Sequence, residues 1–283
     1  MTNRSQTAAP VGTAVVAGGS AGLGLKIAET LLRARYQVSI LGRDETRLAA
    51  ALAVLQPVAE QAGTQIDAVV TDVTDTTSVE SCFAQLSQRW SRLDVLVNCV
   101  GQSDRGRVES LTVDHFDRML RVNVRSALLC STAALPMLRR SRGVVVNIGS
   151  LASKLGSRYL GGYCAAKHAL AGLTQQMRLE WSQYGVHVGL VSPGPIRRDD
   201  AGRRYDTTGQ GLPESATLPA GGAKLSGLEP QRVADAVLRC IVNRQPDLIL
   251  PARVRLLVVI CQLFPRLGDR LLIKFTGGTA AVD

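Results

Sequence analysis

Short runs of apolar residues alternate with longer amphipathic stretches from about residue 13 to residue 250. Some of the short runs are apolar without interruption, among them residues 14–17 and 144–146. A strand with that pattern is buried on both faces, which is typical of a parallel sheet covered by helices. The short runs predict seven strands: Thr13–Gly18, Gln37–Gly42, Gln65–Asp72, Leu93–Cys99, Gly143–Ser150, Val186–Ser192 and Asp247–Leu250.

The longer stretches between these runs have the spacing of helices. They predict helices at Leu23–Arg35, Glu45–Ala62, Val79–Trp90, Val113–Leu138, Tyr159–Tyr184 and Pro230–Asn243. Strands and helices in alternation build right-handed crossovers and a doubly wound sheet. Because no linker, repeat or shift in composition interrupts the alternation, we predict one α/β domain of the Rossmann type over residues 1–251, with a parallel seven-stranded sheet.

Two segments depart from the alternation. Residues 193–227 are rich in Gly, Pro, Arg and Asp and follow a strand, so we predict that they form a substrate loop. Residues 252–283 are predicted to be a C-terminal helical extension, in which apolar and basic residues mix over 252–275. The favoured interpretation is a helix that packs over the substrate cleft or a subunit interface. The alternative is a peripheral membrane contact, with the arginines at anionic headgroups.

The charge balance narrows the class of partner. The chain has 33 basic and 23 acidic residues and a net charge of +10, which raises the question of nucleic acid, anionic lipid or a phosphorylated ligand. Aromatic residues make up only 4%, and the basic residues follow no nucleic-acid-binding motif. We therefore predict no nucleic-acid partner.

The cysteines and the apolar runs bear on the compartment. The six cysteines form no C-x-x-C pair, so the sequence predicts neither a zinc ribbon nor a redox dithiol, and no metal site. Residues 1–13 lack the apolar stretch of a signal peptide. The apolar run at residues 256–264 is shorter than the roughly 20 residues that a membrane span needs. We predict a cytoplasmic location.

A glycine-rich turn follows the first predicted strand and precedes a helix. Its glycines, Gly18, Gly22 and Gly24, have the spacing G-x-x-x-G-x-G, which lets the backbone approach a pyrophosphate at the helix N-terminus. The same turn also fits G-x-S-x-G, in which Ser20 would be the nucleophile of a serine hydrolase. That alternative is less favoured, because His168 and His187 fall in a predicted helix and a predicted strand rather than in a loop.

A second group of residues carries candidate chemistry. Tyr163 and Lys167 are four residues apart, and therefore share one helix face. Five tyrosines and five lysines in this chain would give only about 0.09 chance matches to that spacing. Ser150 ends a predicted strand 13 residues earlier, and Asn123 lies within an earlier predicted helix.

Together these motifs resemble the short-chain dehydrogenase/reductase family over nearly all of residues 11–250. The resemblance implies a catalytic tetrad of Asn123, Ser150, Tyr163 and Lys167. It also implies that the nicotinamide dinucleotide is bound at the strand ends by Gly18, Gly22, Leu23, Gly24, Asp72, Val73, Asn98, Gly101, Tyr163, Lys167, Pro193, Gly194 and Ile196.

The chemistry of carbonyl reduction fits this tetrad. The alkoxide that forms needs a proton donor, and the pKa of free tyrosine, about 10, is high for that task. An ammonium group at Lys167 would lower the pKa of Tyr163, and Ser150 would donate a hydrogen bond to the substrate oxygen. The resemblance further implies that Lys167 reaches the nicotinamide ribose and that Asn123 holds a water molecule linking Lys167 to solvent.

The end of the second strand predicts which dinucleotide is used. An NAD enzyme of this topology usually has a carboxylate there, which binds the ribose hydroxyls. Gly42 occupies that position, and Arg43 follows with a guanidinium that can grip a 2′-phosphate. Ser20 is a further candidate contact. Asp44 is either a displaced carboxylate or the cap of the next helix. We predict NADP(H), with NAD(H) the less favoured cofactor.

The sequence thus predicts an NADP(H)-dependent oxidoreductase that interconverts a ketone or aldehyde with an alcohol. The substrate is expected to be apolar, steroid- or lipid-like. One alternative is a protein that binds nicotinamide and senses redox state without turnover, and the other is the serine hydrolase. By resemblance, a homodimer or homotetramer should form through the helices that carry Asn123 and Tyr163.

Overall fold

The computed structural model describes residues 11–198, 211–213, 216 and 225–275. Most of the predicted substrate loop and the end of the C-terminal extension, residues 276–283, lie outside the described residues.

Seven parallel strands form one sheet in the order β3-β2-β1-β4-β5-β6-β7. This confirms the predicted doubly wound fold. The chain order reverses between β1 and β4, and in such sheets ligands bind at the carboxyl ends of the strands beside that reversal. The strands are β1 Gly12–Ala17, β2 Tyr36–Gly42, β3 Ile66–Val70, β4 Val95–Asn98, β5 Val144–Ile148, β6 His187–Pro193 and β7 Asp247–Leu250.

Helices cover both faces of the sheet. The helices are α1 Gly22–Arg33, α2 Glu45–Ala62, α3 Thr76–Arg89, α4 Val113–Leu120, α5 Ser126–Ser141, α6 Tyr163–Trp181, α7 Pro230–Val242, α8 Val254–Leu263 and α9 Pro265–Phe275. One apolar core lies between the sheet and α1, α2 and α7, and a second lies between the sheet and α3, α5 and α6. In β1, Ala14 and Val16 belong to the first core and Val15 and Ala17 to the second, which explains the uninterrupted apolar run.

Most predicted helices end within three residues of the observed bounds, and two differ from the structure more than the others. The helix predicted at residues 113–138 is α4 and α5 joined by a π-helical turn at Arg121–Arg125. The helix predicted from Tyr159 begins only at Tyr163. Tyr159 and Gly161 have φ angles of 61° and 50°, and a right-handed helix cannot include such residues.

The described part of the C-terminal extension is a pair of helices rather than one continuous helix. Helix α8 ends before Phe264, because Pro265 lacks the N–H that would continue it. The two helices cross closely, since a Cβ on Gly268 would lie 2.6 Å from the Cα of Cys261. Among the described residues, none of the helices is both long and apolar enough to cross a bilayer.

All six cysteines are free thiols. Burial raises the pKa of every one of them, and for Cys99, Cys130 and Cys240 it does so to about 12. The thiols are therefore protonated near neutral pH.

Candidate active site

The glycine turn is compressed between β1, β4 and the start of α1. Gly18 has a φ of 83°, and a Cβ there would lie 2.9 Å from Cγ2 of Val100. A Cβ on Gly24 would lie 2.0 Å from the carbonyl oxygen of Gly18. The residue that caps α1, Ala21, supplies no side-chain hydrogen bond. The first turn of α1 therefore has the free N–H groups and the close backbone approach that a pyrophosphate requires.

Ser20 lies against the end of β2. A Cβ on Gly42 would be 3.2 Å from the hydroxyl oxygen of Ser20, and the exposed Arg43 follows directly. The side chain of Asp44 accepts a hydrogen bond from the N–H of Arg47 at 3.0 Å, so Asp44 caps α2. Of the two interpretations of Asp44, the structure favours the cap.

The turn after β3 is held by Asp72. Its carboxylate accepts hydrogen bonds from the N–H of Thr74 at 2.9 Å and from the Thr74 hydroxyl at 2.7 Å. These bonds, with a smaller contribution from the charge of Arg43, hold the pKa of Asp72 below its usual value. Val73 is buried beside it. Asp72 and Arg43 therefore lie at one edge of the sheet, near each other.

The side chain of Asn98 points into the sheet rather than into the cleft. Its amide donates hydrogen bonds to the hydroxyl of Ser131 at 2.9 Å and to Oδ1 of Asn147 at 2.8 Å. Asn147 in turn donates to the hydroxyl of Thr174 at 2.9 Å. Asn98 thus joins β4 to its neighbours through its amide nitrogen.

Gly101 brings Asn123 and Lys167 together. A Cβ at residue 101 would lie 2.9 Å from Oδ1 of Asn123 and 3.2 Å from Nζ of Lys167. Asn123 is buried in the π-helical turn, a feature that is frequent at functional sites. Its amide donates to the carbonyl oxygens of Gln102 and Met119, each at 3.0 Å. Both N–H groups of the Asn123 side-chain amide are therefore hydrogen-bonded to backbone carbonyl oxygens.

Ser150 begins the turn that follows β5. Its Oγ accepts a hydrogen bond from the N–H of Ala152 at 3.2 Å, and its own N–H donates to Oγ of Ser153 at 3.0 Å. This reciprocal pair fixes the position of the half-buried Ser150 side chain. Because Oγ acts as an acceptor here, the hydroxyl proton is left to donate to another group.

Tyr163 and Lys167 occupy the first turns of α6. Lys167 is 3% exposed, and its Nζ donates a hydrogen bond to the carbonyl oxygen of Ile148 at 3.0 Å. The same Nζ lies 5.8 Å from the centre of the Tyr163 ring. Burial lowers the pKa of Lys167 to about 8. Since Ile148 ends β5 and precedes Ser150 by two residues, the strand end brings Ser150 and Lys167 to the same place.

The exit of β6 lies against the Ser150 turn. The N–H of Gly194, next to Pro193, donates to the carbonyl oxygen of Leu250 at 2.8 Å. A Cβ on Gly194 would be 3.4 Å from Cδ1 of Leu151. Ile196 pairs with Leu228 in an isolated parallel bridge. The structure therefore brings the predicted residues of β1, β2, β4, β5 and β6 to one edge of the sheet.

No histidine stands beside Ser20 as a serine hydrolase would require. His115 hydrogen-bonds Asp104, His168 bonds the carbonyl oxygen of Cys164, and His187 bonds that of Gln245. Each of these bonds is between 2.9 and 3.2 Å long.

Asp104 is a buried residue near the site that the sequence pattern does not indicate. It follows Gly101 in the polar segment Gln102–Arg105, which resembles an ordinary exposed loop. In the structure Asp104 is buried and touches the residue before Tyr163. Its neighbours in space, His115 and Gly162, are 11 and 58 residues away in sequence, so no local pattern signals the cluster.

Comparison with known proteins agrees with this geometry. The family model described as short chain dehydrogenase matches residues 12–208. A 2-(S)-hydroxypropyl-CoM dehydrogenase of Xanthobacter autotrophicus is 35% identical over 193 residues, which cover 67% of this chain and 73% of the relative.

Solved structures agree as well. An alcohol dehydrogenase from the archaeon Thermococcus sibiricus, complexed with 5-hydroxy-NADP, is 26% identical with a TM-score of 0.69 and covers 84% of this chain and 95% of its own. An actinorhodin polyketide ketoreductase with NADPH is 25% identical with a TM-score of 0.72 and covers 86% and 96%. With the family model matching well over half of its residues, the chain belongs to the short-chain dehydrogenase/reductase family of oxidoreductases, which act on CH–OH groups.

Proposed function

We propose that this protein is an NADP(H)-dependent oxidoreductase that interconverts a ketone or aldehyde with an alcohol. The observation that carries the proposal is the buried Lys167, held by the carbonyl oxygen of Ile148 beside Tyr163 and the Ser150 turn. A buried cation is unfavourable unless it has a function or a partner. In a reaction that leaves a phenolate on Tyr163, this cation would stabilise the negative charge.

Each side chain has a distinct role in the proposed reaction. The Ser150 hydroxyl donates a hydrogen bond to the carbonyl oxygen and holds it near Tyr163. Tyr163 donates its proton to that oxygen as the alcohol forms, and the ammonium of Lys167 stabilises the phenolate that remains. Asn123 holds the Gln102 backbone next to Lys167. A bound NADPH would supply the hydride, and the glycine turn with the start of α1 would hold its pyrophosphate.

A panel of ketones, aldehydes and alcohols, assayed with both cofactors at the absorbance of reduced nicotinamide, tests the proposal. We expect turnover of at least one carbonyl compound. Tight binding of the dinucleotide without turnover of any compound would instead favour a redox sensor. Reaction of Ser20 with a fluorophosphonate probe would favour the hydrolase.

The preference for NADP(H) is proposed from the residues at the end of β2. Gly42 offers no carboxylate to the ribose, and Ser20 and Arg43 flank it with a hydroxyl and an exposed guanidinium. Asp44, the nearest carboxylate in sequence, is occupied as the cap of α2. The two solved relatives described above contain NADP-type cofactors, which supports the same choice.

Replacing Arg43 by alanine should remove most of this preference. We expect the wild-type protein to favour NADPH over NADH at least tenfold in kcat/KM, a difference of about 1.4 kcal/mol. Arg43→Ala should lose that factor for NADPH and keep its rate with NADH, because only the contact with the 2′-phosphate is removed. Arg47→Ala, an exposed arginine of the same segment, is the matched control. Equal losses with both cofactors would contradict the assignment of Arg43.

The proposed substrate is apolar, steroid- or lipid-like. Leu151 and Leu155, in the segment after Ser150, pack with Leu225 and with Val254 and Leu257 of α8 in one apolar cluster. This places apolar side chains of the C-terminal helices beside the turn that carries Ser150. The arrangement supports a substrate with a hydrophobic body, and it supports the interpretation that the extension packs at the cleft.

We also propose that the outer side of the C-terminal helices contacts anionic membranes. Leu263, Phe264 and Leu267 form an apolar corner between α8 and α9, with exposures of 67%, 60% and 48%. Over residues 252–275 there are five basic residues and one acidic residue. Apolar side chains flanked by cations are typical of segments that lie in a membrane interface.

The double substitution Phe264→Ser, Leu267→Ser should abolish most of this binding. We expect the wild-type protein to co-sediment with vesicles that contain 30% phosphatidylserine and the variant to bind at least tenfold less, because apolar area is removed from the interface. Val242→Ser changes an equally exposed apolar residue at the end of α7, away from the C-terminal helices, and should bind like wild type. The membrane contact is refuted if the wild-type protein does not co-sediment with the vesicles, or if the variant binds them equally well.

The remaining parts of the proposal concern assembly and location. Homodimers or homotetramers are proposed to form through α5 and α6, where Leu128 and Leu179 are exposed. The proposed location is the cytoplasm, because all six cysteines are free thiols.

A further inference from the structure

Asp104 is a buried carboxylate that the proposed reaction does not use. It lies between β4 and α4, and only 4% of its surface is exposed. A buried carboxylate is unfavourable unless its oxygens are hydrogen-bonded. Asp104 accepts from the N–H of Arg105 at 2.8 Å, from the N–H of Gly162 at 3.1 Å, and hydrogen-bonds Nε2 of His115 at 2.9 Å. The carboxylate therefore joins three segments of the chain.

The bond to Gly162 lies at the N-terminus of the helix that begins with Tyr163. Gly162 is the capping residue of α6 and has no side chain with which to cap it. The carboxylate of Asp104 instead accepts from the N–H of Gly162 itself, as the acidic residue of a capping box does, and it places a negative charge at the positive end of the helix, where it is stabilising. Tyr163 is the next residue along the chain. The position of the first turn of α6 thus depends on Asp104.

The backbone closes tightly around this carboxylate. Gly161 has a φ of 50°, and a Cβ on it would lie 2.1 Å from Oδ2 of Asp104. No side chain fits at residue 161 while the carboxylate remains in place. A second link holds the same two segments together, because Gly106 pairs with Leu160 in an isolated bridge.

His115 bonds Oδ2 of Asp104, the same oxygen that accepts from the N–H of Gly162. If Nε2 donates to Asp104, Nδ1 is an acceptor, and NH2 of Arg118 lies 2.7 Å from it. His115 and Arg118 belong to α4, which leads directly into the π-helical turn that carries Asn123. Asp104 therefore connects the helix that precedes Asn123 with the helix that begins at Tyr163.

We propose that Asp104 is a positioning residue, which fixes the place of the Tyr163 hydroxyl through the N–H of Gly162. The inference rests on the proposed function, because it assigns a reacting proton to Tyr163. Proton transfer depends steeply on geometry, and a displacement of about 1 Å can reduce a rate by about 10². Asp104 touches no part of the glycine turn, so its loss should lower kcat while cofactor affinity stays constant.

The test compares three variants in the full-length protein. Asp104→Ala removes the cap of α6, and Asp104→Asn keeps an oxygen that can accept from Gly162. Asp75→Ala is the matched control, since Asp75 caps α3 through the N–H of Ser78 at 2.7 Å, on a helix that carries none of the tetrad. For each variant we would measure kcat, KM, the dissociation constant of NADPH, the solvent isotope effect on kcat, and backbone hydrogen exchange.

We expect Asp104→Ala to lower kcat at least tenfold, with a larger solvent isotope effect and a change of less than twofold in the dissociation constant of NADPH. Hydrogen exchange should rise at residues 159–166, and Asp104→Asn should recover part of kcat. Asp75→Ala should leave kcat unchanged. The proposal is overturned if Asp104→Ala keeps the wild-type kcat, or if exchange at residues 159–166 does not rise. Absence of turnover in the wild-type protein would refute the proposed function instead, and the exchange result would still decide whether Asp104 fixes the start of α6.

Discussion

Replacing Tyr163 by phenylalanine should lower kcat by about 10² or more, while the dissociation constant of NADPH stays within about twofold. The substitution removes a single oxygen from a half-buried ring and leaves the ring and its contact with the Lys167 ammonium in place. What is lost is the group that donates the proton to the substrate oxygen. Single-turnover oxidation of NADPH, measured beside equilibrium binding of the dinucleotide, separates the two quantities.

Tyr159→Phe provides the matched control for this experiment. Tyr159 is also half-buried, and its hydroxyl is hydrogen-bonded by Arg158, but it lies in the loop before α6. We expect its loss to change kcat less than threefold. A Tyr163→Phe variant that turned over like wild type would show that another group donates the proton, and the assignment of the site would have to be abandoned.

Replacing Lys167 by methionine should have opposite effects on activity and on stability. We expect kcat to fall by about 10², because the phenolate of Tyr163 loses its neighbouring cation. In the protein without cofactor, burial lowers the pKa of Lys167 to about 8. For this reason kcat/KM of the wild-type protein should also decline as the pH rises through about 8 and Lys167 loses its charge.

The stability effect follows from the same pKa. The usual pKa of lysine is 10.5, so the charged side chain is disfavoured in the folded protein by about 3 kcal/mol at pH 7. Methionine removes this cost of burying a charge, but it leaves the carbonyl oxygen of Ile148 without the hydrogen bond from Lys167. We expect a net rise of about 1–2 kcal/mol in the free energy of unfolding at pH 7.

The pH dependence gives this prediction its sharpest check. Between about pH 8 and pH 10.5 the unfolded chain binds the lysine proton and the folded protein does not, so the stability of wild type rises with pH. The advantage of Lys167→Met should therefore be greatest below pH 8 and shrink towards pH 10.5. Urea denaturation at several pH values measures this. Lys154→Met is the control, because Lys154 pairs with Asp247. We expect this variant to show no such gain in stability below pH 8. A variant less stable than wild type at pH 7 would contradict the argument.

The strands were predictable because each depends on a local pattern. The runs at residues 14–17 and 144–146 are apolar because both faces of β1 and β5 are covered. The run alone is therefore enough to predict each of these strands. The parallel order of the strands follows from the helices between them. The glycine turn and the spacing of Tyr163 and Lys167 are local in the same way.

Features that arise from contacts between distant segments were not predictable. In the sequence, Asn98 has the residue type and the strand-end position that are expected of a cofactor contact. Only the structure reveals that its side chain is held in the sheet by Ser131 and Asn147. The π-helical turn at Asn123 leaves no recognisable mark on the hydrophobic pattern of α4 and α5, such as a proline or a glycine within the turn. The late start of α6 at Tyr163 depends on the positive φ of Gly161, whose backbone lies against Asp104.

The protonated state of all six native thiols makes this chain a convenient host for site-directed probes. Alkylating reagents attack thiolates, and burial leaves few of these at neutral pH. A cysteine introduced at an exposed position, such as Phe264 at the corner of the C-terminal helices, would react with a maleimide dye or a nitroxide long before the native residues. Labels could thus be placed without first building a cysteine-free protein, and Cys99 would keep its packing against the apolar core at the end of β4.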